Sequence, residues 1–121
     1  MDKSRYRRLC TRWPGTALDV KWGDALTATV DGKMFALWRL GGPNAGQLWF
    51  KVDDHRFLEL TDQAGLSPAP YLARAKWIQV EEPERFDDEW LAQGIRRAYE
   101  LVAAKLSRKR QRELGIEPAS L

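Results

Sequence analysis

Asp31-Gly32 stands between two runs that read as strands, and no other feature of this 121-residue chain restricts its fold as much. Before it, Leu26, Ala28 and Val30 alternate with Thr27 and Thr29, the two-residue period of a half-buried strand. After it come Lys33, Met34, Phe35, Ala36, Leu37 and Trp38, on to Leu40. An Asp-Gly pair supplies the two positive φ angles of a type I′ turn, whose twist matches that of paired strands. Ala25 to Leu40 therefore reads as a β-hairpin. Alternation puts Phe35 and Leu37 on one face of its second strand and Met34, Ala36 and Trp38 on the other. A strand apolar on both faces is central and covered twice, or is covered once and presents an aromatic surface on its free side.

The other elements arrange themselves around this hairpin. Thr16 to Trp22 reads as a strand turned by Gly23-Asp24. Gln47 to Val52 reads as another, with Leu48, Phe50 and Val52 inward and Trp49 and Lys51 opposite, and Trp77 to Val80 as the last. Ser67-Pro68-Ala69-Pro70 is a connector, because proline is excluded from helix interiors and central strands. An N-terminal helix runs from about Lys3 to Arg12 and stops at Trp13-Pro14-Gly15. Asp53 or Asp54 caps a short middle helix carrying Phe57, Leu58 and Leu60. The closing helix has Asp87, Asp88 and Glu89 in its first turn, a stripe of Leu91, Ile95, Ala98, Val102 and Leu106, and a basic cluster in its last turns, where the helix dipole favours cations. The order implies an α+β two-layer sandwich: an antiparallel sheet of about five strands, with an N-terminal helix, a short middle helix and a long C-terminal helix packed on one face. Residues 1–114 form one domain and 115–121 a short C-terminal tail.

Composition restricts the chemistry. Hydrophobic residues make up 44% and charged residues 31% of the chain, an ordinary globular balance. Cys10 is the one cysteine and His55 the one histidine, so neither an internal disulfide nor a two-histidine metal site is available. Gly41-Gly42-Pro43-Asn44-Ala45-Gly46 lacks the Lys-Ser/Thr of a phosphate loop. No set of acid, base and nucleophile can be assembled, so the expectation is a protein that is not an enzyme, with no catalytic residues, no metal and no cofactor. No apolar run reaches the roughly 20 residues of a membrane span. Asp2, Lys3, Ser4 and Arg5 begin no secretory signal, which leaves the cytoplasm as the expected compartment.

The formal charge of +3 is unevenly spread. Lys3, Arg5, Arg7, Arg8 and Arg12 against Asp2 give residues 1–12 a net +4. Lys105, Arg108, Lys109, Arg110 and Arg112 give residues 105–112 a net +5. Glu113 and Glu117 follow, which leaves residues 13–104 at −4. Terminal cationic clusters attract polyanions, and they also keep small domains soluble. Among the six tryptophans, Trp38 and Trp49 fall on strand faces opposite Phe35 and Phe50, close to Arg39 and Lys51. Two readings follow: a base-stacking surface interleaved with cations, or tryptophans packed beneath helices or against a protein partner.

Lys21-Trp22-Gly23, Gly32-Lys33-Met34-Phe35-Ala36, Phe50-Lys51, Pro70-Tyr71-Leu72, Trp77 and Ala98-Tyr99-Glu100-Leu101-Val102 with Lys105-Leu106 together resemble the MmcQ/YjbR family, over about residues 10 to 106. Cys10 and Trp13-Pro14-Gly15 fit its opening, with Trp13 where leucine is usual; Ala98 stands where many members carry serine. The resemblance implies a small cytoplasmic bacterial protein with a fold similar to the type III secretion chaperones and a double-wing DNA-binding role. Its motif residues here are Trp22, Lys33, Met34, Phe35, Lys51, Tyr71, Trp77 and Tyr99. The wings would be the hairpin around Asp31-Gly32 and the loop from Gly41 to Gly46. The expected phosphate contacts are Lys33, Arg39, Lys51, Arg97, Lys105, Arg108, Lys109 and Arg112 on a monomer that binds DNA. The alternative is a protein-interaction adaptor that uses an exposed aromatic sheet face.

Overall fold

Six strands form one antiparallel sheet in the order β1-β2-β3-β4-β6-β5, with the helices carried on one side of it. In the computed structural model, which describes all 121 residues, chain order is α1 (Lys3–Cys10), β1 (Thr16–Lys21), β2 (Ala25–Val30), β3 (Lys33–Arg39), β4 (Leu48–Lys51), α2 (Phe57–Thr61), β5 (Leu66–Pro68), β6 (Trp77–Val80), α3 (Asp88–Ala103) and α4 (Arg108–Leu114). The α+β two-layer architecture is the expected one. The sixth strand is β5, drawn from the Ser67-Pro68 connector, and it pairs only with β6. Pro68 is tolerated there because an edge strand leaves its missing N–H unused. No helix is long and apolar enough to cross a membrane.

The hairpin forms as expected, with Asp31 and Gly32 at φ 51° and 77°. Its second strand departs from simple alternation. Ala28 lies opposite Ala36 but Thr29 opposite Met34, so Phe35 is an extra residue, a β-bulge. The bulge turns Phe35 to the helical side. Phe35, Ala36 and Trp38 all join the main core, while Leu37 packs on the far face with Met34 against it. Phe35 and Leu37, expected on one face, therefore lie on opposite ones.

Tyr6, Leu9 and Cys10 of α1 and Leu91, Ile95, Ala98, Tyr99 and Val102 of α3 close the main core over Leu26, Val30, Phe50 and Ile78. The Tyr6 hydroxyl donates to the Leu26 carbonyl at 2.9 Å and the Tyr99 hydroxyl to the Pro14 carbonyl at 2.7 Å, so each buried phenol finds an acceptor. Tyr99 also meets Phe35 edge-on at 5.6 Å and Trp13 at 5.2 Å.

The closing helix is two helices. Asp88 and Glu89 lie in the first turn of α3 as expected, whereas Asp87 stands one position earlier as its cap, accepting from the Trp90 amide. The chain then leaves the axis after Ala103, and the Ser107 hydroxyl caps α4 by accepting from the Arg110 amide. Buried Gln111 holds the break together, donating through Nε2 to the carbonyls of Ala103 and Leu106 at 3.0 and 3.1 Å. Arg108 and Lys109 thus lie in the first turn of a short helix rather than the last turns of a long one. Ser107 offers the backbone a local hydrogen bond that competes with continuing the helix, and its hydroxyl meets the Arg110 amide that the break sets free. Gly115 ends α4 in the left-handed conformation at φ 80°. Beyond it, Ile116 is buried in the main core and Leu121 packs against that core.

Candidate nucleic-acid interface

The register gathers cations at one end of the sheet. Val30 pairs with Lys33 across the hairpin turn, Ala36 with Phe50, and Lys51 with Trp77. Hence the Asp31-Gly32 turn, Lys33, the end of β4 at Lys51 and the start of β6 after Lys76 share one end. α4 is fastened to that end: Arg110 donates to Asp31 at 2.8 Å. Lys33, Lys105, Arg108, Lys109 and Arg112 are exposed and carry no ion-pair partner there. Lys51 is half-buried and donates to the Ala75 carbonyl at 2.6 Å. Burial first, and then the neighbouring Lys105, hold its amine below the ordinary lysine value.

Two of the expected contacts are already engaged. Arg97 forks onto Asp53, with Nε and Nη2 each 3.0 Å from a carboxylate oxygen, and reaches Glu100 at 3.1 Å. Those hydrogen bonds raise the arginine's pKa and lower that of Asp53. Arg39 pairs with Asp24 at 2.8 Å and stacks 5.2 Å from the centre of the Trp49 ring. Arg97 sits on α3 as a strut to the loop after β4, and Arg39 belongs to the opposite end of the sheet from Lys33.

The N-terminal cluster does not join this end. The Met1 amine pairs with Asp88 at the start of α3, Arg5 and Arg8 stand about Glu84 and Asp88, and Arg5 and Arg12 share a shallow groove with Arg96, Glu89 and Glu100. The two expected wings also separate, because the Asp31-Gly32 turn precedes β3 and the Gly41–Gly46 loop follows it.

The far face of the sheet is not an open aromatic surface: of the two readings of Trp38 and Trp49, packing is the one found. Trp38 faces the helices, 5.7 Å from Tyr6. Trp49 does face away from them, yet it is only 4% exposed, packed in a second small core with Ala25, Leu37, Ala69 and Trp77. The segment after β5 folds back over this face and Leu72 packs on it, which the proline-rich connector gave no sign of.

Trp22 and Tyr71 instead stand out. They are 64% and 102% exposed, and both have positive φ, 54° and 65°. They border one groove of about 730 Å³ whose other walls include Asp24, Arg39, Asn44 and Trp49. Three separate loops build it: Trp22-Gly23-Asp24 between β1 and β2, the Gly41–Gly46 loop, and Pro70-Tyr71-Leu72. Of the family-motif residues, the groove unites Trp22 and Tyr71; Phe35 and Tyr99 meet in the main core, and Met34 and Trp77 lie on the far face. Asp24, Asn44 and Lys76 were not singled out by sequence, since each reads as an ordinary turn residue.

Cys10 is buried and its thiol is pushed up to about 12 by that burial, which keeps it protonated and inert.

A family model described as YjbR matches residues 11–101. A crystal structure of a Deinococcus radiodurans protein with the domain DUF419 is similar to this chain with a TM-score of 0.81 and 24% identity, over 93% of this chain and 87% of that one. A Pseudomonas syringae protein is similar with a TM-score of 0.64 and 20% identity, over 84% and 98%. At these identities the likeness speaks for the fold alone. No curated protein matches the chain.

Proposed function

The chain belongs to the YjbR family, and from that premise we propose that it is a non-enzymatic nucleic-acid-binding protein that holds backbone phosphates against the cationic end of its sheet. One observation carries this reading: Lys33, Lys51, Lys76, Lys105 and the free cations of α4 collect at one end, although the stretch 13–104 is net acidic. A polyanion is the partner that such a concentration of unpaired positive charge attracts. The hairpin turn and α4 would act together as the phosphate clamp. The Gly41–Gly46 loop, at the other end, takes no part in it.

Phosphate contacts of this kind position a nucleic acid without reading its sequence. Binding should therefore weaken steeply with salt, log affinity falling against log salt with a slope of about −0.9 for each duplex phosphate neutralised. Fluorescence anisotropy with labelled duplex and single-stranded DNA at four salt concentrations measures this slope. Replacing Lys33 and Arg112 together by glutamine should flatten it by about 2. Affinity that ignores salt, or a slope unmoved by the double substitution, would overturn the proposal. Trp38 and Trp49, the aromatic residues on which the adaptor alternative was built, are both buried, which favours the phosphate-binding reading.

A further inference from the structure

Two large aromatic side chains held exposed on strained backbone are unexpected for packing reasons alone. Trp22 and Tyr71 are two of four non-glycine residues with positive φ; the others are Asp31, at home in its hairpin turn, and Lys76, which caps a helical turn. A bulky residue in the left-handed region is disfavoured, and at 64% and 102% exposure neither ring recovers that cost through burial. The turn between β1 and β2 uses the positive φ at position 22 but does not need a tryptophan there, and a bulky exposed ring kept at such an angle is a mark of a binding surface.

The groove between these rings has a defined chemistry. Trp49 lies at its base with the Arg39 guanidinium stacked on it. Arg39 directs Nη2 at Asp24, but its Nε is buried without an acceptor. Asn44 adds an amide that both donates and accepts. Flat apolar faces with donors and acceptors at their edges match a planar ring that carries both, and a volume of about 730 Å³ admits one.

Charge selects among such ligands. The segment Pro70 to Lys76 leads from the groove to the cationic end, bearing exposed Arg74 and then Lys76, and its Ala75 carbonyl accepts from Lys51. A path of cations thus joins the aromatic groove to the phosphate clamp. β3 has seven residues, so its two ends are about 20 Å apart at roughly 3.3 Å per step. That is the reach of a short single strand whose backbone follows the cations while one base leaves it.

We propose that the groove receives an unpaired nucleobase, stacked against Trp22 and Tyr71, and that this protein accordingly prefers single-stranded or locally opened nucleic acid to intact duplex. A paired base is held within its own stack and cannot enter; an unstacked one can. The inference rests on the phosphate-binding reading and adds the base to it.

Anisotropy with three labelled probes separates the two readings: a 12-nucleotide oligodeoxythymidylate, a strand of equal length made of abasic sites, and a 12-base-pair dA·dT duplex. The wild-type chain should bind the oligodeoxythymidylate about tenfold more tightly than the abasic strand, the size of one stacked base. Trp22→Ala and Tyr71→Ala should each bring that ratio close to one while leaving the abasic affinity and the salt slope in place. Trp22→Asn, which relieves the backbone, should do the same and guards against a folding defect in the alanine variant. A wild-type ratio near one with the salt slope preserved overturns the base site and leaves the phosphate clamp standing. A ratio unchanged in all three variants overturns it as well, and failure to bind any probe overturns both readings.

Discussion

Arg110 holds Asp31 across 79 residues of chain, its Nε and Nη2 both donating to Oδ1 at 3.1 and 2.8 Å. This contact decides where α4 lies, and therefore whether its cations stand beside Lys33. The Arg110 hydrogen bonds keep the Asp31 carboxyl below the usual carboxylate range. A carboxylate lowered in this way stabilises the folded arrangement above its unfolded pKa of about 3.9, and the contribution is lost as pH falls through the lower folded value. At neutral pH the tether is complete. Asp31→Asn retains the turn, since asparagine accepts the same φ, but removes the charge. Amide exchange should then quicken across 108–114 at neutral pH while the β2 and β3 amides stay as protected as before. The wild-type chain should show the same local loosening only below about pH 4. Equal protection of α4 in both proteins at neutral pH would show that the tether does not hold the helix.

Replacing Trp22 by asparagine should make the protein more stable. The wild-type residue spends a left-handed conformation on a ring that is 64% exposed, whereas asparagine adopts that conformation with little penalty. The expected gain is roughly 1 kcal/mol, at the lower end of the left-handed penalty for an L-residue. Urea unfolding should give a higher midpoint with an unchanged slope. A lower midpoint would mean that the ring contributes packing that outweighs its backbone strain.

This Trp22 site shows where sequence reading stops. Asp31-Gly32 announced its turn because both residues are at home at positive φ, and the stripe from Leu91 to Val102 announced α3 because periodicity and burial agree. Lys33, Lys105, Arg108, Lys109 and Arg112 are recognisable as cations, but what brings them to one end, the strand register for Lys33 and the Arg110–Asp31 contact for α4, is not. Trp38 shares the helical side with Phe35, against simple alternation, because Phe35 is one inserted residue that reverses every later side chain of the strand, and nothing local marks a bulge. The helix break was missed because Leu106 continues the apolar stripe while Ser107, one residue on, competes for the backbone. The groove was invisible for a different reason: three loops distant in sequence build it, and its distinguishing property is a backbone angle.

Gln111 predicts the strength of that helix break. Its Nε2 is the only partner of the Leu106 carbonyl, whereas the Ala103 carbonyl also accepts from the Leu106 amide. Gln111→Ala leaves the Leu106 carbonyl buried and unmet. The cost should be roughly 1–3 kcal/mol, as for other buried polar groups that lose their partner. Equilibrium urea unfolding measures it, and amide exchange should rise first in α4 rather than in the sheet. A change below the error of the measurement would show that water replaces the side chain.

Gly94 lies in the middle of α3, where alanine would ordinarily stabilise a helix by about 1 kcal/mol. Here the added Cβ would stand 2.8 Å from Phe50 Cε2 and 3.0 Å from Cζ. Phe50 is 2% exposed in central strand β4, so its ring cannot swing into solvent to make room. Forcing an extra methyl into a filled core costs about 1–3 kcal/mol, which exceeds the propensity gain. Gly94→Ala should therefore lower stability. In a Phe50→Leu background the obstructing ring edge is gone, and the same substitution should become neutral or stabilising. A double-mutant cycle by urea unfolding gives the coupling directly. Additive effects would show that helix and strand can separate enough to absorb the methyl, and that the ring does not set their spacing.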